Sequence, residues 1–260
     1  MSNEAAPIRV GVVGAAGRMG RTICAAVDGD ADLQLVAAVD PGAVGAIIDG
    51  VPVSRSLDAL LEAGAQVVID FTVLDAARTT VGWLAERGIH AVVGTTGFTD
   101  DDIAGYRTAF TTSNALIASN FAISAILMMR FAELASPYFE TAEIIELHHD
   151  RKADAPSGTA VSTAKRMAAA SSDWAADPTK FEVFAGARGG VGPGDIHIHS
   201  VRLRGLQAHQ EVIFGTVGQS LTIRQDSYDN SSYMPGILLA CKRISSRPGL
   251  TFGLEGYLDL

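Results

Sequence analysis

The sequence predicts an α/β protein in which a doubly wound parallel sheet is followed by a second α+β domain built on an open mixed sheet. Over the first half of the chain, short apolar strands alternate with helices, which is typical of a parallel sheet covered on both faces. From Thr141 onward, long strand-like runs are interrupted by one strong helix, which indicates an open sheet. At 260 residues the chain is long enough for two domain cores.

The composition is that of a folded acidic protein. Hydrophobic residues make up 48% and charged residues 19%, and the 27 glycines suit many tight turns between strands and helices. The formal net charge of −9 argues against a nucleic-acid surface, which needs basic patches. An acidic protein that binds an acidic ligand must therefore concentrate its positive charge locally.

Membrane and targeting signals are not visible in the sequence. No apolar run reaches the roughly 18 residues that span a bilayer, and Met1 to Ala6 lacks the basic and apolar regions of a signal peptide. We therefore expect a cytoplasmic protein that binds no membrane. Cys24 and Cys241 lie far apart without metal-ligand neighbours, so both are predicted to be buried free thiols.

A strand, a glycine turn and a helix open the chain. The strand Ile8 to Gly14 leads directly into Gly14-Ala-Ala-Gly-Arg-Met-Gly, and helical character continues from Arg21 to Val27. Gly14 permits the tight turn, Gly17 lets the backbone approach a pyrophosphate, and Gly20 allows close helix packing. The spacing is not strict GxGxxG, but the context predicts a Rossmann-like dinucleotide fold.

Asp40 is the candidate for holding the adenosine ribose. It ends a second strand, Leu33 to Val39, about twenty residues beyond the glycine turn, where a carboxylate would accept hydrogen bonds from the ribose. The alternative is that Asp40 only opens the following Pro-Gly turn. Because no Arg or Lys follows Asp40 until Arg55, no basic side chain is in an obvious position to bind the 2′-phosphate of NADP. The residues therefore favour NAD over NADP.

Three more strands and helices continue the first domain. The strands are Val67 to Phe71, Ala91 to Gly94 and Ala115 to Ala118, and the helices are near Leu74 to Arg87, Asp100 to Phe110 and Ala122 to Ala135. Ligands of such sheets bind outside the carboxyl ends of the strands, which makes Asp70-Phe-Thr and Gly94-Thr-Thr-Gly rim segments. Gly94 to Gly97 suits close passage of a nicotinamide ribose, or is simply a turn.

The second domain is predicted from Thr141 to Leu147 and three later runs. These runs are Ile196 to Arg204, Ala208 to Phe214 and Leu221 to Arg224, with the helix Thr159 to Ala170 between the first strand and the others. The glycine-rich segment Gly186 to Gly194 is typical of a mobile loop, either a lid or a plain connection.

The end of the chain is predicted to return to the first domain. The helix Ile237 to Arg243 and the strand Leu250 to Leu254 cannot form a core alone. The predicted dinucleotide-binding domain is therefore discontinuous, with residues 1–121 and 231–260, and residues 122–230 form the second domain.

The stretch from Glu146 to Ala160 carries the densest chemistry. It is predicted to be a strand end, a polar loop and a helix start, with His148, His149, Arg151 and Lys152 within five positions. Cations and helix N–H groups, including those of Gly158 and Thr159, then converge on one spot. This arrangement suits a small anion with more than one carboxylate.

A strand that ends before His149 allows both imidazoles to enter one pocket. One imidazole can then exchange a proton near neutral pH while the other orients a carboxylate, and Lys152 can pair with a carboxylate or deliver a proton. Taken singly, each of these residues could equally be a core or surface side chain, and Arg151 is predicted to be a solvated surface charge.

The sequence favours neither a metal site nor a serine nucleophile. His197 and His199 share one strand face, but no third ligand is obvious, so polar residues of a sheet face or subunit contact explain them better, and no metal is predicted. Ser157 has histidines nearby but lacks the GxSxG setting of a nucleophile.

Six motifs together resemble one enzyme family. They are Val13 to Gly20, Asp70 to Thr72, Gly94 to Gly97, Asn120-Phe121, Glu146 to Ala160 and Gly215 to Ser227. The chain resembles the 4-hydroxy-tetrahydrodipicolinate reductase (dihydrodipicolinate reductase) family of lysine and diaminopimelate biosynthesis. The resemblance implies an NAD(P)H domain and closure between the two domains. It further implies that residues 122–230 are a substrate-binding and oligomerisation domain whose open sheet builds a homotetramer. It also implies hydride transfer to ring C4 of a dicarboxylate, with the hydroxyl lost as water.

The resemblance also assigns roles. It implies that His148 is the proton donor or acceptor and Lys152 the second proton donor, while His149, Gly158 and Thr159 hold the substrate carboxylates. The implied cofactor-binding residues are Gly14, Ala15, Ala16, Gly17, Arg18, Met19, Asp40, Gly94, Thr95, Thr96, Ala118, Ser119, Asn120 and Phe121. Because family members often accept both NADH and NADPH, both are expected here.

Four positions depart from the usual family pattern: Ser119, Ser124, Gln225 and Asn230. They bear on cofactor seating or domain closure and remove no proposed catalytic group. Two other functions remain open from the residues, namely a reductase of another small dicarboxylate and a regulator that senses NAD(H) without turnover. A sensor has no need of two imidazoles and a lysine beside an anion-binding helix start.

Overall fold

The computed structural model describes residues 6–259, which divide into two compact units. The first contains the chain up to Phe121 and resumes at Tyr233, and the second spans Ala122–Ser232. Over residues 6–259, no helix has the length and apolar character needed to cross a membrane.

The strands and helices follow in chain order. The strands are β1 (Ile8–Val13), β2 (Leu33–Val39), β3 (Ile47–Ile48), β4 (Val51–Ser54), β5 (Val67–Asp70), β6 (His90–Val93), β7 (Ala115–Ile117), β8 (Thr141–His148), β9 (Gly190–Val191), β10 (His197–Arg202), β11 (Ala208–Thr216), β12 (Gln219–Ser227) and β13 (Leu250–Phe252). The α-helices are α1 (Arg18–Asp28), α2 (Asp58–Glu62), α3 (Leu74–Glu86), α4 (Asp100–Ala109), α5 (Ile123–Ala135), α6 (Gly158–Ala170) and α7 (Met234–Arg243).

The first unit is built on an eight-stranded sheet with the order β13-β7-β6-β5-β1-β2-β4-β3. Every pairing is parallel except that of β3 with β4, so the predicted doubly wound parallel sheet is confirmed. All four residues of β5 are buried, as expected for a strand covered on both faces. The short elements β3, β4 and α2 were not predicted.

The second unit is built on a five-stranded sheet with the order β12-β11-β8-β10-β9. The central pair β8 and β10 is parallel and the other pairs are antiparallel, which confirms the predicted mixed sheet. Helices α5 and α6 pack together, and the Gln210 side chain of β11 donates to Thr163 Oγ1 of α6 at 2.8 Å. This bond ties α6 to the sheet.

The glycine-rich segment contains more structure than a plain loop. Gly190 and Val191 form the edge strand β9, which pairs with β10, and Pro193–Asp195 form a 3-10 turn. Elsewhere, Cys24 and Cys241 are free and buried, as predicted, and burial raises the pKa of each thiol to about 12.

Candidate active site

The carboxyl ends of five neighbouring strands meet at one edge of the first sheet. The last residues of these strands are paired side by side in the sheet, and they are Val39, Val13, Asp70, Val93 and Ile117. The residues that follow them are Asp40, Gly14, Phe71, Gly94 and Ala118. The structure therefore brings the predicted cofactor segments to the same edge.

The glycine turn has the geometry that its residues predict. Gly14 has a φ of 74°, in the left-handed region that favours glycine. A Cβ atom at Gly20 would overlap the carbonyl oxygen of Gly14 and lie 2.8 Å from Ala15 Cα, so only glycine lets α1 approach the turn this closely. Gly17 precedes the first helical residue, Arg18, and both residues are exposed. Backbone N–H groups at such a helix start favour an anion.

Asp40 is hydrogen-bonded to the backbone on both of its oxygens. Oδ2 accepts from the N–H of Ala16 at 3.0 Å, and Oδ1 accepts from the N–H of Gly42 at 2.9 Å. The carboxylate therefore lies beside the glycine turn, where the ribose role requires it. It also orders the Pro-Gly turn, which was the alternative role.

A buried carboxylate connects the other cofactor segments. Asp70 is fully buried, and its Oδ1 accepts from Thr72 N–H at 2.9 Å, from Thr72 Oγ1 at 2.7 Å and from Thr95 Oγ1 at 3.4 Å. Within the described residues Oδ2 has no hydrogen-bond partner. Gly94 follows β6 and lies against Phe71, whose ring a Cβ atom would overlap. Thr96 is exposed.

The last cofactor segment follows β7. Ala118 is buried and donates its N–H to Val93 O at 3.0 Å, Ser119 is exposed, and Asn120 is partly exposed. Phe121 is buried, with its ring 5.2 Å from that of Phe71. The segment is thus fixed at both ends while its middle remains accessible.

In the second unit, β8 ends at His148, so His149 begins the loop as predicted. His148 Nδ1 lies 2.5 Å from Glu146 Oε2. Burial lowers the pKa of the His148 imidazole, and the adjacent Glu146 carboxylate opposes that shift without cancelling it. The His149 N–H donates to Gln207 O at 3.4 Å, and its buried Nδ1 has no partner among the residues that the structure describes.

Glu146 lies at the centre of this cluster and is fully buried. Arg202 donates from Nη1 to Oε2 and from Nη2 to Oε1, both at 2.8 Å, and the N–H of Ser157 donates to Oε1 at 3.1 Å. Burial raises the pKa of Glu146, but the Arg202 guanidinium and the other donors outweigh it and hold that pKa below its usual value. Glu146 is therefore an ionised acceptor at neutral pH.

The loop between β8 and α6 is fixed by its polar side chains. Lys152 Nζ lies 2.8 and 2.9 Å from the two carboxylate oxygens of Asp154, whose pKa is lowered by that contact. Ser157 caps α6, because its Oγ accepts from the N–H of Ala160 at 3.2 Å. Gly158 and Thr159 are consequently the first two residues of the helix, where N–H groups cannot bond within the helix. Arg151 is exposed, as predicted.

The histidine pair of β10 is held by acidic and backbone groups. His197 Nε2 lies 3.0 Å from Asp177 and its Nδ1 2.6 Å from Arg188 O, while His199 Nε2 lies 2.7 Å from Glu143. Within residues 6–259, no group of three or more His, Cys, Asp or Glu side chains is arranged to hold a metal ion. These contacts account for both histidines as residues of the sheet face.

Comparison with known families identifies the chain. The family model described as "Dihydrodipicolinate reductase, N-terminus" matches residues 8–121, and the one described as "Dihydrodipicolinate reductase, C-terminus" matches residues 124–258. The chain belongs to the dihydrodipicolinate reductase family. It is therefore an enzyme, an oxidoreductase of lysine and diaminopimelate biosynthesis that uses a nicotinamide cofactor.

Relatives match this family member over nearly its whole length. A 4-hydroxy-tetrahydrodipicolinate reductase from Nocardia farcinica is 50% identical and one from Corynebacterium aurimucosum 49%, each covering 97% of this chain and 99% of the relative. A dipicolinate-bound dihydrodipicolinate reductase from Paenisporosarcina sp. TG-14 has a TM-score of 0.87 at 38% identity and covers 96% of this chain and 99% of its own. An amine dehydrogenase from Mycobacterium smegmatis, at 12% identity and a TM-score of 0.61, shares the fold alone.

Two residues of the reductase cluster were not singled out by the sequence. Arg202 was only part of a strand-like run, and Glu146 was only the start of the polar stretch. The signal that joins them is the parallel register that pairs Arg202 of β10 with His148 of β8. The pairing of two strands that are some fifty residues apart in the sequence cannot be recognised from a local motif.

Proposed function

We propose that this reductase converts 4-hydroxy-tetrahydrodipicolinate to tetrahydrodipicolinate. The nicotinamide supplies a hydride to ring C4, and the balanced reaction also takes up one proton and releases the ring hydroxyl as water. The observation that carries the proposal is the concentration of His148, Lys152 and the start of α6 in one short segment. The positive charge of Lys152 contributes to lowering the pKa of His148, so the two groups are electrostatically coupled.

His148 is the proton donor or acceptor in this proposal. Because ionised Glu146 can only accept, the imidazole donates from Nδ1, and Nε2 is left for proton exchange with the ring. Lys152 is the second proton donor. An ammonium group held by Asp154 is oriented within the same loop and can deliver a proton to the reacting ring or to the departing hydroxyl.

The substrate carboxylates are held by His149, Gly158 and Thr159. The N–H groups at the start of α6 are an anion site that adds no charge, and the helix dipole favours a carboxylate there. The buried Nδ1 of His149 has no hydrogen-bond partner among the described residues, which supports a role in which a bound ligand supplies that partner.

Both NADH and NADPH serve as cofactors in this proposal. The exposed helix start at Gly17 and Arg18 fits a pyrophosphate, because the backbone N–H groups and the dipole of a helix N-terminus favour an anion. A Cβ atom at Gly17 would lie 3.1 Å from Gly14 O and crowd the turn. Asp40 accepts from the ribose, while Gly94 to Thr96 and Ala118 to Phe121 line the nicotinamide end. No basic side chain precedes Arg55 after Asp40, which favours NADH between the two.

We also propose a cytoplasmic homotetramer that acts on a small dicarboxylate and binds no nucleic acid or membrane. The open five-stranded sheet supports assembly, since the outer strand β12 exposes Leu221. Two buried free thiols suit a reducing compartment. Light scattering tests the assembly, and a monomer at assay concentrations would refute it.

The proposed function is tested by a coupled assay. Dihydrodipicolinate synthase generates the substrate in the cuvette, and the loss of reduced nicotinamide absorbance is followed with NADH and with NADPH. Oxidation of either cofactor that depends on the synthase is expected. Oxidation with other small dicarboxylates but not with the synthase product would favour the alternative reductase, and binding of NADH without any oxidation would favour a sensor.

A further inference from the structure

The donors around Glu146 come from three segments of the second unit: the end of β8, the strand β10 and the loop before α6. His148 ends β8, Arg202 ends β10 and supplies two donors, and the Ser157 N–H directly precedes α6. The Nη2 of Arg202 also donates to the backbone oxygen of Asp154 at 2.6 Å. The Glu146 carboxylate and the Arg202 guanidinium therefore connect the end of β8, the loop that carries Lys152 and the start of α6, the parts of the second unit to which the proposed reaction assigns a role.

A carboxylate without solvent exposure is costly for the fold, because a charge loses its hydration when it is buried. A pair with no other role could be replaced by apolar side chains of similar volume with little loss of stability. Here the pair lies directly behind His148 and beneath the start of α6, where its geometry decides how those groups are presented.

We infer that Glu146 and Arg202 are positioning residues of the reductase reaction, an inference that rests on the proposed function. Glu146 holds the His148 ring in the tautomer with the proton on Nδ1, so that Nε2 exchanges the proton with the substrate. Arg202 fixes both oxygens of Glu146 and the backbone of Asp154, and through Asp154 it sets the position of Lys152.

The charges that face His148 fix the direction of the expected pH effect. Glu146 raises the pKa of the imidazole, and burial, Lys152 and Arg202 lower it. Replacing Glu146 by a neutral amide therefore removes the adjacent negative charge that stabilises the imidazolium. The apparent pKa of His148 moves further down, and both tautomers of the neutral ring become accessible.

The test compares Glu146→Gln with a matched control, Glu143→Gln. Glu143 lies on the same strand and also pairs with an arginine and a histidine, Arg188 and His199, but belongs to neither the loop nor the proposed site. Steady-state kinetics are measured across pH with the synthase-generated substrate, NADH affinity is measured by fluorescence, and folding by circular dichroism. Glu146→Gln is expected to lower kcat by about 10- to 100-fold, the effect of losing a charged hydrogen bond. The pH profile should shift to lower pH while the Kd for NADH stays unchanged.

Glu143→Gln is expected to keep the wild-type kcat and pH profile. If Glu146→Gln does not fold, Arg202→Lys decides the question, since it keeps the charge but loses the two-pronged contact. It should lower kcat with a native circular dichroism spectrum. The inference is overturned if the folded Glu146→Gln enzyme, or the folded Arg202→Lys enzyme in its place, keeps the wild-type kcat and pH profile. In that case the activity of the wild-type enzyme still supports the proposed function. An inactive wild-type enzyme contradicts the proposed function itself.

Discussion

Asp40 accepts a hydrogen bond from the backbone N–H of Ala16 at 3.0 Å. The carboxylate that is proposed to hold the ribose therefore also orders the turn that is proposed to hold the pyrophosphate. Substitutions of Asp40 act on both contacts, and the two can be separated because the turn serves NADH and NADPH alike.

Asp40→Ala is expected to raise the KM for NADH about tenfold, since it removes a charged acceptor from the ribose. The KM for NADPH should rise less, because the same change removes the repulsion between the carboxylate and a 2′-phosphate. Asp40→Asn is the control, since its side-chain oxygen can still accept from Ala16. Equal increases in the two KM values would contradict the ribose contact.

The close approach of α1 to the glycine turn predicts a large cost for a single methyl group. Gly20→Ala should destabilise the protein by about 1–3 kcal/mol, the usual range for overpacking, and should weaken NADH binding. Gly105→Ala is the matched control, because Gly105 lies in α4 and a Cβ atom there meets nothing within 4 Å. That variant should be stabilised by about 0.5–1 kcal/mol. Urea unfolding measures both, and equal stability of the two variants would refute the packing argument.

The elements that the sequence predicted are those with enough residues to show a pattern. Strands such as β1 and β2 are apolar runs of six and seven residues that end in recognisable turns. By contrast, β3 has two residues and α2 five, too few for any periodicity to appear. Their formation depends on the neighbouring sheet.

The start of α7 was predicted at Ile237, three residues late. The sequence Met-Pro-Gly resembles a turn, but proline is tolerated in the first helical turn, where its missing N–H costs nothing. Gly236 has a packing role inside the helix, because a Cβ atom there would overlap Phe121 O. This contact joins residues distant in sequence and is therefore absent from any local pattern. The same holds for the pairing of Glu146 with Arg202.

The contact between Lys152 and Asp154 predicts how the second proton donor responds to substitution. Lys152→Gln should lower kcat by about 100-fold or more, within the range of general acid catalysis, with an unchanged Kd for NADH. Asp154→Asn removes only the orienting partner and should cost much less. If Lys152→Gln turned over at the wild-type rate, Lys152 would not be a proton donor.

A carboxylate of the first unit predicts a pH-dependent contribution to stability. Arg78 donates to both oxygens of Asp102, and with the Thr99 N–H it lowers the pKa of Asp102 to about 2. Because the folded-state pKa lies below the unfolded value of about 4, the contribution is complete above pH 4 and is lost as the pH falls towards 2. Asp102→Asn should thus lower the Tm near neutral pH.

The measurement for Asp102→Asn is a pair of thermal unfolding series, wild type and variant, from neutral pH to about pH 2, near the folded-state pKa of this group. The difference in Tm should shrink as the pH falls. A difference of constant size across the series would show that ionisation of Asp102 contributes nothing.

The most direct test of the proposed reaction follows the hydride itself. NADH carrying two deuterium atoms at nicotinamide C4 is supplied with the synthase-generated substrate, and the product is analysed by mass spectrometry and nuclear magnetic resonance. We predict that each molecule of tetrahydrodipicolinate carries one deuterium at ring C4 and that the His148→Gln enzyme forms this product far more slowly. Oxidation of the cofactor without deuterium at ring C4 would contradict the account.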